Sequence, residues 1–476
     1  MELNKIYNMD CLDGLKQIES DSIDAIISDP PYQLTSMTRG KPDQTDDGEY
    51  GKEVPFSRIQ SRVKSGFMNK EWDVLPTLEI LKESLRVLKS GAWALWVMTP
   101  RQDSQLEFLL RLRQAGFNIA FSSIEWVYAS GFPKAMNISK GVDRKLGIKP
   151  QVIGIVKGMA KQNTEFNGTA QGRKENYLKP EYEKTIPTSA EAKALDGSYA
   201  GMQLKPAREL IIVSQKPIAG KTYLDQALLH LKDPEHNQLG GTWLDDGRIP
   251  YQSNKDKEIA NSLGKSFSEK SYDTGCYHFN VGNSFVRNEY KADFKGRFPA
   301  NLLVSDNALD IGEPMDRPAS EDSGDLSRYF DLDFWFENKL KELPKEQQKI
   351  FPFLYVPKAS KSERNEGLEN MPDGLHGHGN LGNSAGLERF QTIAKNIHPT
   401  VKPIKLMSYL ITLTTREGDI VLDPFIGSGT TAVASILLNR KFIGFEREKE
   451  YYDIANNRLK KYMEQTKLTG VLNDGN

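Results

Sequence analysis

Cysteine is nearly missing: Cys11 and Cys276 are the only two in 476 residues. That rules out a disulfide framework, and the six histidines form no zinc-ligand spacing with them. His376 and His378 fall in a glycine-rich stretch, and no metal site is expected there. Long apolar runs are also missing, so a membrane span is not expected. The opening MELNKIYNMDCL lacks a signal-peptide pattern, and a cytoplasmic location is expected. An excess of charge is missing too: 63 basic and 64 acidic residues leave a net charge of −1. No global basic field advertises nucleic acid, so any such partner needs a local basic face. An apolar fraction of 38% and a mean hydropathy of −0.55 describe a compact domain carrying polar insertions. The length allows two or three domains.

Against that background two stretches stand out. In IISDPPY (26–32) an apolar run stops at Asp29-Pro30-Pro31-Tyr32. A Pro-Pro pair cannot continue a regular ladder, so a carboxylate, a rigid carbonyl and an aromatic ring are presented together at a strand end. Open α/β sheets bind ligands at such ends. The set suits one hard reaction. The exocyclic amine of adenine or cytosine is a poor nucleophile, because its lone pair is delocalised into the ring. Asp29 and the Pro30 carbonyl can accept from that amine and draw it toward a pyramidal state, while Tyr32 stacks on the base. Read alone, the alternative for the stretch is a plain strand followed by a Pro-Pro turn.

The second stretch is VLDPFIGSGTT (421–431). An apolar strand runs into Gly427-Ser428-Gly429, a tight turn opening the helix TTAVASILLN. KFIGFE (441–446) is a further strand, ending in Glu446, 17 residues beyond Gly429 (446 − 429). Glycines let a backbone approach a nucleoside closely, and an acid at the next strand tip can take both ribose hydroxyls. The nicotinamide fingerprint G-x-G-x-x-G is not present; F-x-G-x-G is.

Together the motifs resemble the amino-methyltransferases of DNA, which use S-adenosylmethionine (SAM) and carry D-P-P-Y and D-P-F-x-G-S-G-T-T. The catalytic motif precedes the cofactor motif, as in the circularly permuted, beta-type arrangement of that family. SGFPKAMNISKGVD (130–143), LKPARELIIVSQKP (204–217), GRFPANLL (296–303), KASKSERNEGL (358–368) and HPTVKP (398–403) also resemble stretches of phage and prophage DNA methylases. The resemblance implies an α/β, Rossmann-like methyltransferase fold: a doubly wound, mostly parallel sheet of about seven strands, circularly permuted, with a large inserted target-recognition region. It implies Asp29, Pro30, Pro31 and Tyr32 as catalytic. It implies SAM held by Asp10, Lys402, Asp423, Pro424, Phe425, Gly427, Ser428, Gly429, Thr430 and Glu446, with Lys402 at the cofactor carboxylate. A Lys at a helix start opposes the helix dipole unless an anion partners it, which supports that contact with the cofactor carboxylate. Asp10 reads equally as the cap of the helix starting at Cys11.

Taken in order, residues 1–217 form the catalytic half of the core, with a mobile insertion over 144–203. A polar, partly basic loop over 33–70 either closes on the target or is plain surface, and EWD (71–73) fits the family pattern without a derivable role. A helix from Leu75 to Leu88 stops at Ser90-Gly91, and AWALWVM (92–98) is a central strand. The next helix is capped by Asp103 or Ser104 and ended by Gly116. Trp126 and Tyr128 alternate toward one face of a strand, either as base contacts or as core. RELIIVSQ (208–215) is an antiparallel edge strand. Residues 218–395 break the βα alternation and are expected to recognise the target, since base flipping needs protein around the duplex. There Lys358, Lys361 and Arg364 are candidate phosphate contacts, and GLHGHGNLGNSAG (374–386) is a loop. Residues 396–463 form the SAM half, and 464–476 a disordered tail.

The expected activity is direct methyl transfer from SAM to N6 of adenine in double-stranded DNA, by a monomer or homodimer. Asp in the first motif goes mostly with adenine in the family, and N4 of cytosine is the alternative. An RNA or protein amide methyltransferase, or a SAM- and DNA-binding protein without catalysis, are the remaining readings. Neither cysteine sits in a Pro-Cys motif, so methylation at cytosine carbon five by a thiol nucleophile is not expected.

Overall fold

A computed structural model describes residues 1–33, 72–128, 136–149, 151–157, 181–200, 204, 207–258, 296–305, 309, 326–342, 361–369, 371, 374–377, 391–398 and 400–468. They hold twelve strands: β1 (Lys5–Asn8), β2 (Ile23–Ser28), β3 (Leu88–Met98), β4 (Ile124–Val127), β5 (Gln151–Lys157), β6 (Glu181–Ile186), β7 (Arg208–Gln215), β8 (Leu302–Val304), β9 (Gly374–Gly377), β10 (Gln391–Ala394), β11 (Ile420–Asp423) and β12 (Lys441–Glu446).

Eight of these strands make one sheet in the order β1-β12-β11-β2-β3-β7-β4-β8. β7 runs antiparallel to both neighbours, and every other pairing is parallel. The strands near the C-terminus are thus inserted between β1 and β2, which closes the permuted order. Strand β2 is buried at all six positions, as a parallel strand covered on both faces should be. The period-2 alternation sorts its side chains. Ile27, Leu95, Val97, Val421 and Leu303 join one apolar layer with the helices Leu332–Glu342, Ile404–Thr414 and Thr430–Leu437. Ile26, Ala94, Trp96, Met98, Leu422 and Ile443 join the other, with the helices Cys11–Leu15, Leu78–Val87 and Gln102–Ala115.

Several expectations are corrected. The helix ending near Leu88 starts at Leu78, capped by Thr77, and runs straight into β3. Gly91 is therefore inside a strand, with φ of 76°. An added Cβ there would lie 3.1 Å from Gln226 Nε2 and 3.2 Å from Gly240 Cα, so close packing, not a helix stop, requires the glycine. The next helix begins after Arg101 with no side-chain cap and ends at Gly116, φ 105°. β7 is not an edge strand, because β4 and β8 lie beyond it. β8 comes from the segment expected to stand apart, and it raises the strand count to eight because Leu302–Val304 pair with Glu125–Val127. The stretch read as a loop from 374 contributes β9, held by antiparallel pairing with β10. The tail expected to be disordered from 464 is helical to Leu468; residues 469–476 lie outside the described residues.

The chain divides into two compact units. The larger holds residues 1–130, 207–380 and 386–476, so residues 218–380 belong with the sheet. The smaller holds 131–206 and 381–385. Its described residues include part of 144–203, the stretch expected to be a mobile insertion. They form the helix Ile138–Lys145, which carries the buried Asp143, the antiparallel pair β5–β6 and the helix Ala190–Ala194. Asp143 accepts from Thr188 N (2.8 Å), Ser189 N (3.0 Å) and Ser189 Oγ (2.6 Å).

Trp335 shows how far the larger unit is one core. It is 2% exposed, edge-on to Tyr409 at 4.8 Å, and donates to the Asp246 carbonyl at 2.9 Å. Trp335→Ala is expected to cost about 3–5 kcal/mol and to raise hydrogen exchange in β2 and β11. Unchanged protection of those strands would show the 332–342 helix to be an appendage.

Candidate active site

Strand order reverses between β11 and β2, and both strands deliver their motifs there, at their carboxyl ends. Val421 pairs with Ala25 and Leu422 with Ile26, which sets Asp423 beside Ser28. Asp423 Oδ1 accepts from Ser28 Oγ (2.6 Å) and Phe425 N (3.0 Å), and Oδ2 from Thr431 Oγ1 (2.6 Å). Asp423 is thus the fastener of the loop. Burial pushes its carboxyl up to about 6, against these hydrogen bonds. Gly427 and Gly429 take φ of 53° and 82°, where side chains other than glycine are strained. An added Cβ on Gly427 would lie 2.7 Å from His398 Nε2. Burial drops His398 to about 3, so the ring is neutral, and Nδ1 is 2.7 Å from the Thr400 carbonyl. Behind the loop the fully buried Arg458 donates through Nη1 to the Ser428 carbonyl at 2.6 Å.

These groups face a cavity of ≈ 360 Å³ lined by Asp10, Asp29, Pro30, Pro31, Tyr32, Lys402, Asp423, Pro424, Phe425, Gly427, Ser428, Thr430 and Glu446, with Trp72, Asp73, Ile80, His398 and Tyr451 among the rest. The size suits a small-molecule ligand. Two backbone turns with little steric bulk, the Phe425 wall and the Glu446 carboxylate form a fitting cradle for a nucleoside-bearing cofactor. Gly429, also expected to touch that cofactor, has Ala455 against its Cα, which an added Cβ would meet at 3.1 Å. Asp10 lines the cavity and caps its short helix, accepting from Leu12 N at 2.8 Å, so both of its expected positions hold together.

The chemistry-bearing cluster is at the end of β2. Lys402 Nζ donates to Asp29 Oδ2 at 2.6 Å and lies 3.4 Å from Glu209 Oε2. Tyr32 donates its hydroxyl to Asp29 Oδ1, and the Lys402 ammonium sits 5.2 Å from the Tyr32 ring centroid. Burial raises Asp29, with Lys402 opposing and Glu209 adding to the rise. Burial also works against the Lys402 charge, but Asp29 and Glu209 outweigh it and raise Lys402. Lys402 thus has the anionic neighbour its place before a helix demanded. That neighbour is Asp29, with Glu209 beside it. Asp73, unassigned from sequence, accepts from Gln33 N at 2.8 Å and so holds Gln33 at φ 52°, fixing the chain where it leaves Tyr32.

Other candidates fall elsewhere. Trp126 is 1% exposed, donates to Ser305 Oγ at 3.1 Å and belongs to the core, away from the cavity lining. Tyr128 is equally buried and reaches Glu209 Oε1 at 3.4 Å. Both rings pack in the layer of the 332–342 helix, with the Tyr128 hydroxyl turned to the carboxylate that meets Lys402. Arg364 is no exposed phosphate ligand: it donates to the His398 carbonyl at 2.9 Å, and burial beside Arg458 lowers its pKa. Lys361 opens the helix Lys361–Asn365. Lys358 and the loop from 34 to 71 lie outside the described residues. Among the described residues no His, Cys, Asp and Glu cluster could hold a metal, and no helix is long and apolar enough to cross a membrane. Glu209 is a member of this cluster that the sequence reading did not single out. Its only signal is an acid just before the apolar run LIIV of its strand.

A family model for DNA methylase, grouping N6- and N4-methyltransferases, matches residues 23–457, and the chain belongs to that family. It is 58% identical over 66 residues to the orphan methyltransferase M.BamHII of Bacillus amyloliquefaciens, which is 14% of this chain and 25% of that protein. It is 55% identical over 65 residues to the type II methyltransferase M.HindIII of Haemophilus influenzae, 14% of this chain and 21% of that protein. The chain thus spans about a quarter of the length of these curated relatives. Among solved structures, the cytosine-N4-specific PvuII DNA methyltransferase aligns over 97% of this chain and 91% of its own, at 14% identity and a TM-score of 0.36. The M1.HpyAVI–SAM complex aligns over 95% and 98%, at 13% identity and a TM-score of 0.32.

Burial pushes Glu446 up to about 7 from 4.5, while Glu448 N still donates to it at 2.7 Å. A carboxyl raised by folding binds more protons folded than unfolded, so ionising it opposes folding as pH rises from about 4.5 to about 7. Glu446→Gln is therefore expected to be more stable than wild type at pH 8, by of order 1–3 kcal/mol, and no more stable at pH 4. Thermal unfolding at the two pH values reads this. A gain at pH 4 as large as at pH 8 would refute it.

Proposed function

We propose that the chain is a site-specific DNA methyltransferase that passes a methyl group from SAM to N6 of adenine in double-stranded DNA. The observation that supports this most is the shared cavity: Asp29-Pro30-Pro31-Tyr32 lies across from the Pro424–Ser428 loop and Glu446. Acceptors for an amine thus stand opposite a cradle for a nucleoside.

In this reading Phe425, Gly427, Ser428 and Glu446 hold the cofactor, with Asp10 at its nucleoside end. Bound there, SAM supplies an electrophilic methyl carbon whose sulfur keeps the bonding pair. Asp29 and the Pro30 carbonyl accept from the extruded amine and free its lone pair for in-line attack. As the nitrogen–carbon bond forms the amine becomes cationic, and its surplus proton leaves to Asp29 or water. Tyr32 supplies a ring for the flipped base. No covalent enzyme intermediate is needed, which accords with Cys11 being buried with its thiol pushed up to about 12, far from a thiolate nucleophile.

The choice of adenine rests on Asp29 leading the motif, and N4 of cytosine is chemically open to the same acceptors. Type II methyltransferases among the relatives suit a modification enzyme, either solitary or paired with a nuclease.

Purified protein incubated with SAM and unmethylated DNA, followed by digestion and mass spectrometry, is expected to yield N6-methyladenine. N4-methylcytosine would keep the mechanism and change the base, and no methylated nucleoside would overturn the reading. Asp29→Ala is expected to lose at least about 10²-fold in turnover while still binding SAM by calorimetry.

A further inference from the structure

Resting on the methyl-transfer reading, we propose that Glu209 is a positioning residue. Through Lys402 and Tyr32 it orients Asp29 and keeps the cluster at one net negative charge where positive charge develops on the target amine.

The geometry is specific. Glu209 Oε2 lies 3.4 Å from Lys402 Nζ and 3.5 Å from the Tyr32 hydroxyl, and Oε1 takes the Tyr128 hydroxyl at 3.4 Å. Lys402 and Tyr32 are also the two donors that grip Asp29, one on each oxygen. Glu209 is thus tied to both grips on the reacting carboxylate. Its neighbour Arg208 is turned to Glu125, and Lys402, Asp29, Tyr32 and Tyr128 are the titratable groups that face it.

The charge count gives the reason. Asp29 with Lys402 alone is neutral, and an ammonium so near the amine would repel the charge that arrives with the methyl group. In a partly desolvated site that repulsion is large. The second carboxylate on the same ammonium leaves two negative charges against one positive. The cluster then attracts the amine as it becomes cationic, and no proton needs to pass through Glu209 itself.

The test is single-turnover methyl transfer by wild type, Glu209→Gln and Glu209→Asp across pH, with SAM affinity by calorimetry. Glu209→Gln is expected to lower kcat on the order of 10²-fold while leaving the KM for SAM within about twofold. The charge of Glu209 is among the causes that raise Asp29, so its removal moves the acid limb of the kcat profile to lower pH. Glu209→Asp, which keeps the charge, is expected to recover part of the rate with the limb unmoved. An unchanged kcat and limb in Glu209→Gln, or a Glu209→Asp as slow as Glu209→Gln, would overturn the proposal alone. A wild type that methylates nothing would overturn the functional reading, and this proposal with it.

Discussion

Everything at the ligand end of the sheet hangs on the buried Asp423 carboxylate. Ser28 reaches it from β2, while Thr431 and the Phe425 amide reach it from its own loop. Residues 395 positions apart in the chain are joined by one hydrogen bond, and that bond is where the two halves of a permuted fold become one site. Its price is a carboxyl buried among few compensating charges, which is why it is pushed up to about 6. Such a group is tolerated when it is fully hydrogen-bonded, and here both oxygens are.

Sheet polarity then selects which side chains can meet. Parallel strands bring their carboxyl ends together, so Asp29 and Glu446 come from strand ends. β7 runs the other way, and it is the beginning of β7 that reaches the same edge. Glu209 therefore enters the site from a strand's first turn of sequence, where an acid ordinarily reads as solvent-facing. Lys402 arrives from the stretch before the helix Ile404–Thr414, whose residues are buried throughout. An unpaired ammonium could not be held there, and Asp29 with Glu209 supplies the pairing.

Part of the architecture was legible because local signals agreed with the global fold. The apolar strands ending in Asp29, Asp423 and Glu446 are found where the pattern placed them. So is the Gly116 helix stop. Where local signals were ambiguous, contacts decided. Ser90-Gly91 has the composition of a helix end, yet Gln226 and Gly240 press against Gly91 inside a strand. The segment from 131 to 206 has weak periodicity, yet within it Asp143 ties one helix to the start of the next through Thr188 and Ser189. Arg364 reads as a surface cation, yet it ties the His398 backbone.

What the sequence determined by itself was the chemistry available and its order: an acceptor tetrapeptide first, a glycine loop and terminal acid last. Those are local properties, set by proline geometry, glycine freedom and strand-end position. What only the tertiary structure decided was the company each group keeps. Lys402 was placed on Asp29, Glu209 on Lys402 and Asp73 under Gln33, while Trp126 was sent into the core. Partnerships across hundreds of residues depend on strand order and direction, and no local pattern of residues encodes those.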